Sequence, residues 1–261
     1  MAERKICTLV YGRAKVGKST FADTAPGPRL ILDAEMGSDF LDSEQIVWDI
    51  EGGEVCPDLD PVKDEDVTVV VYVHEYTTLR KVFELLDQGL HPFETVIIDS
   101  ITEIQQRCMD SMVGSAAMKI QDWGEIKRQM SIDIRNFRDL KAHPKKAINV
   151  LFIATLEEVA REDGSVRLVP HMQGSIAKEL PYVVDVVGLL FLDKDDNTTR
   201  KLQVASHADA DTGDRTGYLP GVINDPDVYE ILEMIETGAV KAREERKEKR
   251  AKRVAVKATG K

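Results

Sequence analysis

The chain has 261 residues, 43% of them hydrophobic, and a net charge of −11. That content supports a sizeable core and argues against disorder of the whole chain, and no apolar run approaches the ~20 residues of a membrane-spanning helix. Charge is uneven: residues 241–261 carry ten Lys/Arg against three Glu, a net +7, so the first 240 residues carry −18, and such an acidic body is no general attractor for nucleic acid.

In chain order, the N-terminal segment runs from charge straight into a strand at residues 6–10, with no signal-peptide apolar region or cleavage site. A glycine- and lysine-rich turn follows at 12–19, then the first turns of a helix at 20–24. Residues 29–33 read as a second strand and 47–50 as a short third. Residues 51–66 form an expected exposed loop with seven acids against one lysine. The β-branched run 67–73 is a strand. Leu79, Val82, Phe83 and Leu86 give 76–86 a helical period. A buried strand at 95–99, helices at 101–112 and 123–142, and a strand at 147–154 follow. Residues 156–178 read as a polar loop, 183–192 and 201–206 as late, antiparallel strands, and 227–236 as a short helix before the basic tail. The alternation predicts an α/β fold with a mostly parallel sheet flanked by helices. It predicts one domain over residues 1–240, then a flexible charged tail over 241–261.

Cys7, Cys56 and Cys108 are an odd, widely spaced set, which fits a reducing cytoplasm rather than a disulfide scaffold or zinc ribbon. The five histidines show no HExxH pattern. A metal site built from protein ligands alone is not expected.

GRAKVGKS, residues 12–19, satisfies GxxxxGK[ST] between a strand and a helix. Glycines let successive backbone N–H groups turn toward phosphate, and the helix N-terminus adds partial positive charge. The expected nucleotide-binding residues are Gly12, Arg13, Ala14, Lys15, Val16, Gly17, Lys18, Ser19 and Thr20. Lys18 would reach the β/γ phosphates of ATP and Ser19 would supply an oxygen to Mg²⁺. TVIIDS, residues 95–100, brings Asp99 to the end of a buried strand, where its carboxylate can join the Mg²⁺ shell. Ser100 then stands where many ATPases carry a water-activating glutamate. If the protein hydrolyses ATP, a base must come from elsewhere, and RLILDAE, residues 29–35, offers Glu35 at the end of the second strand; the alternative is that Glu35 is an ordinary exposed strand-end acid. Asp33 is the lesser partner, structural or water-bonding.

LILDAE after a P-loop, with VIIDS as the Walker B strand, resembles the RecA recombinase core. The resemblance spans residues 5–235. It is closest to the compact RecA-like ATPases of bacteriophages that act in single-strand annealing and recombination, through DWGEI at 122–126 and DRTGYLPG at 214–221. It implies a RecA-like P-loop fold, with Glu35 activating the attacking water beside Lys18 and Asp99. It places the 147–154 strand between the P-loop and Walker B strands, with Thr155 in the slot where RecA carries a γ-phosphate-sensing glutamine. It implies DNA-facing loops at 113–121 and 157–178, with Lys119, Arg161, Arg167 and Lys178 as contact candidates. The second loop is nearly neutral and has no aromatic for stacking. Arg215 would act in trans on a neighbour's phosphate, or else pair with Asp214 or Asp211 in a turn. The implied function is an ATP-hydrolysing DNA recombination or annealing protein that binds single-stranded DNA as a ring or filament, with a single-strand DNA-binding protein as a possible partner. It would work in the cytoplasm, that of the bacterial host if the source is viral. The alternatives left open are a P-loop small-molecule kinase and a nucleotide-dependent switch with a protein partner. A full AAA+ ATPase ranks lower, because Ser100 replaces the glutamate and the chain leaves no room for a helical lid.

Overall fold

The computed structural model describes residues 4–114 and 118–259. Its chain order is β1 (Cys7–Gly12), α1 (Lys18–Asp23), β2 (Arg29–Asp33), β3 (Glu44–Val47), β4 (Val67–Tyr72), α2 (Tyr76–Leu86), β5 (Thr95–Asp99), α3 (Ile101–Val113), α4 (Ile120–Asp139), β6 (Asn149–Ala160), β7 (Val166–Pro170), α5 (Ile176–Val183), β8 (Val186–Leu192), β9 (Arg200–Gln203), β10 (Gly213–Asp214), β11 (Val222–Asn224) and α6 (Val228–Thr259).

The strands form one sheet in the order β11-β9-β8-β1-β6-β5-β2-β4-β3, with β10 added on β8 and β7 on β6. From β8 to β3 every pairing is parallel. The late strands β9, β10 and β11 pair antiparallel. The strand after α4 thus lies between the P-loop strand β1 and the Walker B strand β5.

Central strands bury both faces, which is why they read as unbroken apolar runs. Leu9 and Tyr11 of β1, Leu30 and Leu32 of β2, and Val96 and Ile98 of β5 share one core. Leu79 and Val82 of α2, Ile104 of α3, and Met130, Ile134 and Phe137 of α4 complete it. Val10, Ile31 and Ile97 point the other way, onto Phe21 and Ala22 of α1 and Val228, Ile231 and Ile235 of α6. The period-2 alternation of strands and the 3.6-residue period of helices thus sort one sequence into two hydrophobic layers.

Several expectations are corrected. The third strand is Glu44–Val47 rather than 47–50; it is a polar edge strand with little apolar signal, and Trp48 closes it by donating its backbone N–H to Val70 O. The 156–178 loop is instead structured. β6 runs on to Ala160 and pairs antiparallel with β7, turning at Gly164, whose φ of 82° favours glycine. This hairpin projects beyond the core, so its outer residues are charged and carry no burial signal. α5 occupies 176–183, where Ile176 and Leu180, one helical turn apart, are buried. Within the basic tail, α6 continues as one helix to Thr259.

Candidate nucleotide site

The ends of β1, β2, β5 and the core part of β6 lie level at one edge of the sheet. Gly12 is opposite Thr155, and Asp33 opposite Asp99. This edge is where open α/β sheets bind ligands, outside the carboxyl ends of the strands.

The loop after β1 has the geometry that its glycines predict. A Cβ on Gly12 would stand 2.5 Å from Leu190 O. Gly17 has φ 92°, a conformation that costs an L side chain roughly 1–2 kcal/mol, and opens α1. Lys18 is buried, with Nζ donating to Arg13 O at 3.1 Å. Arg13 itself is exposed and pairs with Glu158 on the extended part of β6. The Ser19 hydroxyl donates to Asp99 Oδ2 at 2.6 Å.

Asp99 is buried, and burial pushes its carboxyl up to about 6; Glu35 and Asp33 push the same way, while the Ser19 hydrogen bond and Lys18 oppose them. A buried carboxylate beside two more acids and one lysine is poised to take a cation. Among the described residues no three His, Cys, Asp or Glu side chains cluster to hold a metal by themselves. The adjacent oxygens of Ser19 and Asp99 nonetheless fit Mg²⁺, which takes one or two protein oxygens and fills its octahedron with water and phosphate.

Beside this pair, the Ser100 hydroxyl donates to Glu35 Oε1. Ser100 is fully buried and also caps α3, accepting from the Glu103 N–H at 3.2 Å. The Glu35 carboxylate is exposed at the strand edge. Asp33 is buried and accepts backbone N–H bonds from Glu35 at 3.0 Å and Ser38 at 2.9 Å. It therefore builds the turn that carries Glu35, and β2 is held to β5 by Ala34 N–H donating to Asp99 O at 2.7 Å.

The remaining candidates lie less centrally. Thr155 stands mid-strand in β6, not at a strand end; its backbone N–H donates to Thr102 Oγ1 at 3.1 Å, and its hydroxyl lies 3.4 Å from His171 Nδ1. Arg215 pairs with neither Asp214 nor Asp211. It lies 3.5 Å from Asp185 and donates to Tyr182 O at 2.6 Å. Asp185 N–H donates to Cys7 O at the start of β1, so Arg215 sits at the opposite sheet edge, ~17 Å from its own P-loop over five strand steps. Arg161 pairs with Asp209 at 2.7 Å and Arg167 with Asp211. Lys119 and Lys178 are exposed. Of the 113–121 loop, residues 115–117 lie outside the described residues.

One contact carries no sequence signal. Arg200, the first residue of β9, donates Nε–H to Val16 O at 3.1 Å, across 184 positions.

A family model described as an AAA domain matches residues 4–216. No curated protein matched the sequence. Among the described residues a single helix, α6, follows the last strand. The chain belongs to this AAA domain family of P-loop ATPases, and membership implies nucleotide binding.

Proposed function

We propose that this AAA domain protein hydrolyses ATP to ADP and phosphate, with Glu35 as the base that takes a proton from the attacking water. The observation that carries the reading is the Ser100–Glu35 hydrogen bond beside the Ser19–Asp99 pair. It puts an accessible carboxylate at the edge where the P-loop ends, in place of the glutamate that Ser100 displaces. Lys18 and the backbone N–H groups of the loop bind the β and γ phosphates. Ser19 and Asp99 hold Mg²⁺, which when bound neutralises phosphate charge. Ser100 orients Glu35, and Asp33 fixes the turn beneath it.

We further propose that turnover serves DNA recombination or single-strand annealing by an oligomer. This rests on the resemblance to RecA-like proteins carried by LILDAE, VIIDS, DWGEI and DRTGYLPG. Arg215, half exposed and far from its own P-loop, would act on a neighbour's nucleotide. Arg161 and Arg167 are matched by acids, so DNA contact in this reading falls first on Lys119 and Lys178.

The test is the phosphate-release rate with and without single-stranded DNA, measured alongside mass in solution. Stimulation by DNA together with a mass above that of one chain is expected. Slow hydrolysis indifferent to DNA, with a stable protein complex, would replace this reading with a nucleotide switch. Transfer to a small-molecule acceptor without phosphate release would replace it with a kinase.

A further inference from the structure

We propose that Arg200 is a nucleotide-affinity residue acting in cis, contacting the nucleoside side of the bound nucleotide rather than its γ-phosphate. The proposal rests on the P-loop reading above and adds a residue that neither motif contains.

The geometry starts from the loop backbone. Arg200 lies against Gly17, close enough that a Cβ there would overlap its guanidinium. Its Nε–H is used on Val16 O. No carboxylate pairs with it among the described residues, whereas the next residue, Lys201, is paired with Asp193. A guanidinium has five N–H donors in a planar fork suited to phosphate. Here at least one face of that fork lies at the loop whose amides would cradle a polyphosphate, without an acid to neutralise it.

Strand order sets which end of the nucleotide it meets. Across the sheet the sequence is β9, β8, β1, β6, β5, β2. Glu35, Ser100 and Asp99 stand on the β6–β5–β2 side of the P-loop, so the reacting γ-phosphate points there. Arg200 comes from β9, on the other side of β1. It therefore reaches the part of the nucleotide that does not change during hydrolysis. A contact that is equal in ground and transition states lowers Kd and KM and leaves kcat unchanged.

The experiment uses the full chain with Arg200→Gln and Arg200→Lys. Glutamine can still donate to Val16 O but has no charge; lysine keeps the charge without the fork. Kd for ATP and for ADP, both with Mg²⁺, is measured together with kcat, KM and the unfolding temperature. A charge-assisted hydrogen bond predicts that Arg200→Gln weakens ATP and ADP alike, by about ten-fold or more. KM should rise in step, kcat at saturating ATP should stay within about two-fold, and Arg200→Lys should recover part of the affinity. Parent affinity for both nucleotides in Arg200→Gln would show that the side chain only latches the loop, and would overturn the proposal. A loss confined to ATP with a fall in kcat would overturn the nucleoside-side assignment. If the parent protein fails to bind ATP, or Lys18→Ala binds as well as the parent, the P-loop reading itself falls, a result distinct from either.

Discussion

Glu35→Gln separates chemistry from binding and from folding. The carboxylate is exposed, and its recorded partner is the Ser100 hydroxyl. Glutamine keeps the length and an amide oxygen that can accept the same bond. The folding cost is then a fraction of one hydrogen bond, no more than about 1 kcal/mol. Nucleotide affinity should stay near the parent value, because Lys18, Ser19 and the loop amides are untouched. Turnover should not. General-base catalysis contributes ~10²–10⁴ in rate, equivalent to ~2.7–5.4 kcal/mol of barrier. Phosphate release under saturating ATP should therefore fall at least a hundred-fold, while titration with a fluorescent ATP analogue and the unfolding temperature change little. Hydrolysis by Glu35→Gln at the parent rate would refute the assignment, and with it the inference that Ser100 leaves a place for a base from β2. Loss of nucleotide binding would equally refute the division of labour between Glu35 and the P-loop.

Ser100→Ala removes both the cap on α3 and the donor to Glu35. Stability should drop by about 1 kcal/mol, or ~2–4 °C in unfolding temperature, and turnover should fall at unchanged nucleotide affinity. Asp33→Ala leaves the Glu35 and Ser38 N–H groups without their acceptor. A cost of ~1–3 kcal/mol by urea denaturation is expected, with slower phosphate release because the turn holding Glu35 loosens. His91 is buried, stacked on Phe93 with ring centroids 5.7 Å apart, and neither ring nitrogen has a partner among the described residues. Burial, helped by Lys146, pushes its pKa down from 6.5 to about 4. Between those values the unfolded chain binds the extra proton, so this group's contribution to stability is lost as pH falls from about 6.5 toward 4. His91→Leu should flatten that part of the stability–pH profile, and an unchanged slope would show that His91 is not its source.

Much of the fold was legible because its signals are local. The apolar runs at 29–33, 67–73 and 95–99 and the helical period at 76–86 each match the structure within a residue. The P-loop needs only glycine, lysine and serine at fixed spacing between a strand and a helix. The requirement for Glu35 followed from a single residue, Ser100. Where the chain is polar, local signals fail: the β6–β7 hairpin buries too little apolar surface to announce itself, and the edge strand β3 is half composed of acid and amide side chains.

The sequence by itself determined the elements, the phosphate loop and the acids available to it, because backbone propensity and motif spacing act over a few residues. Tertiary structure decided which distant groups meet. Parallel pairing of β2 with β5 sets Asp33 opposite Asp99 and so brings Glu35 onto Ser100. Strand order carries Arg200 to Val16 and leaves Arg215 beside Asp185 at the far edge. Pairings of this kind are fixed by the packing of two hydrophobic layers around one sheet, which no short window of sequence contains.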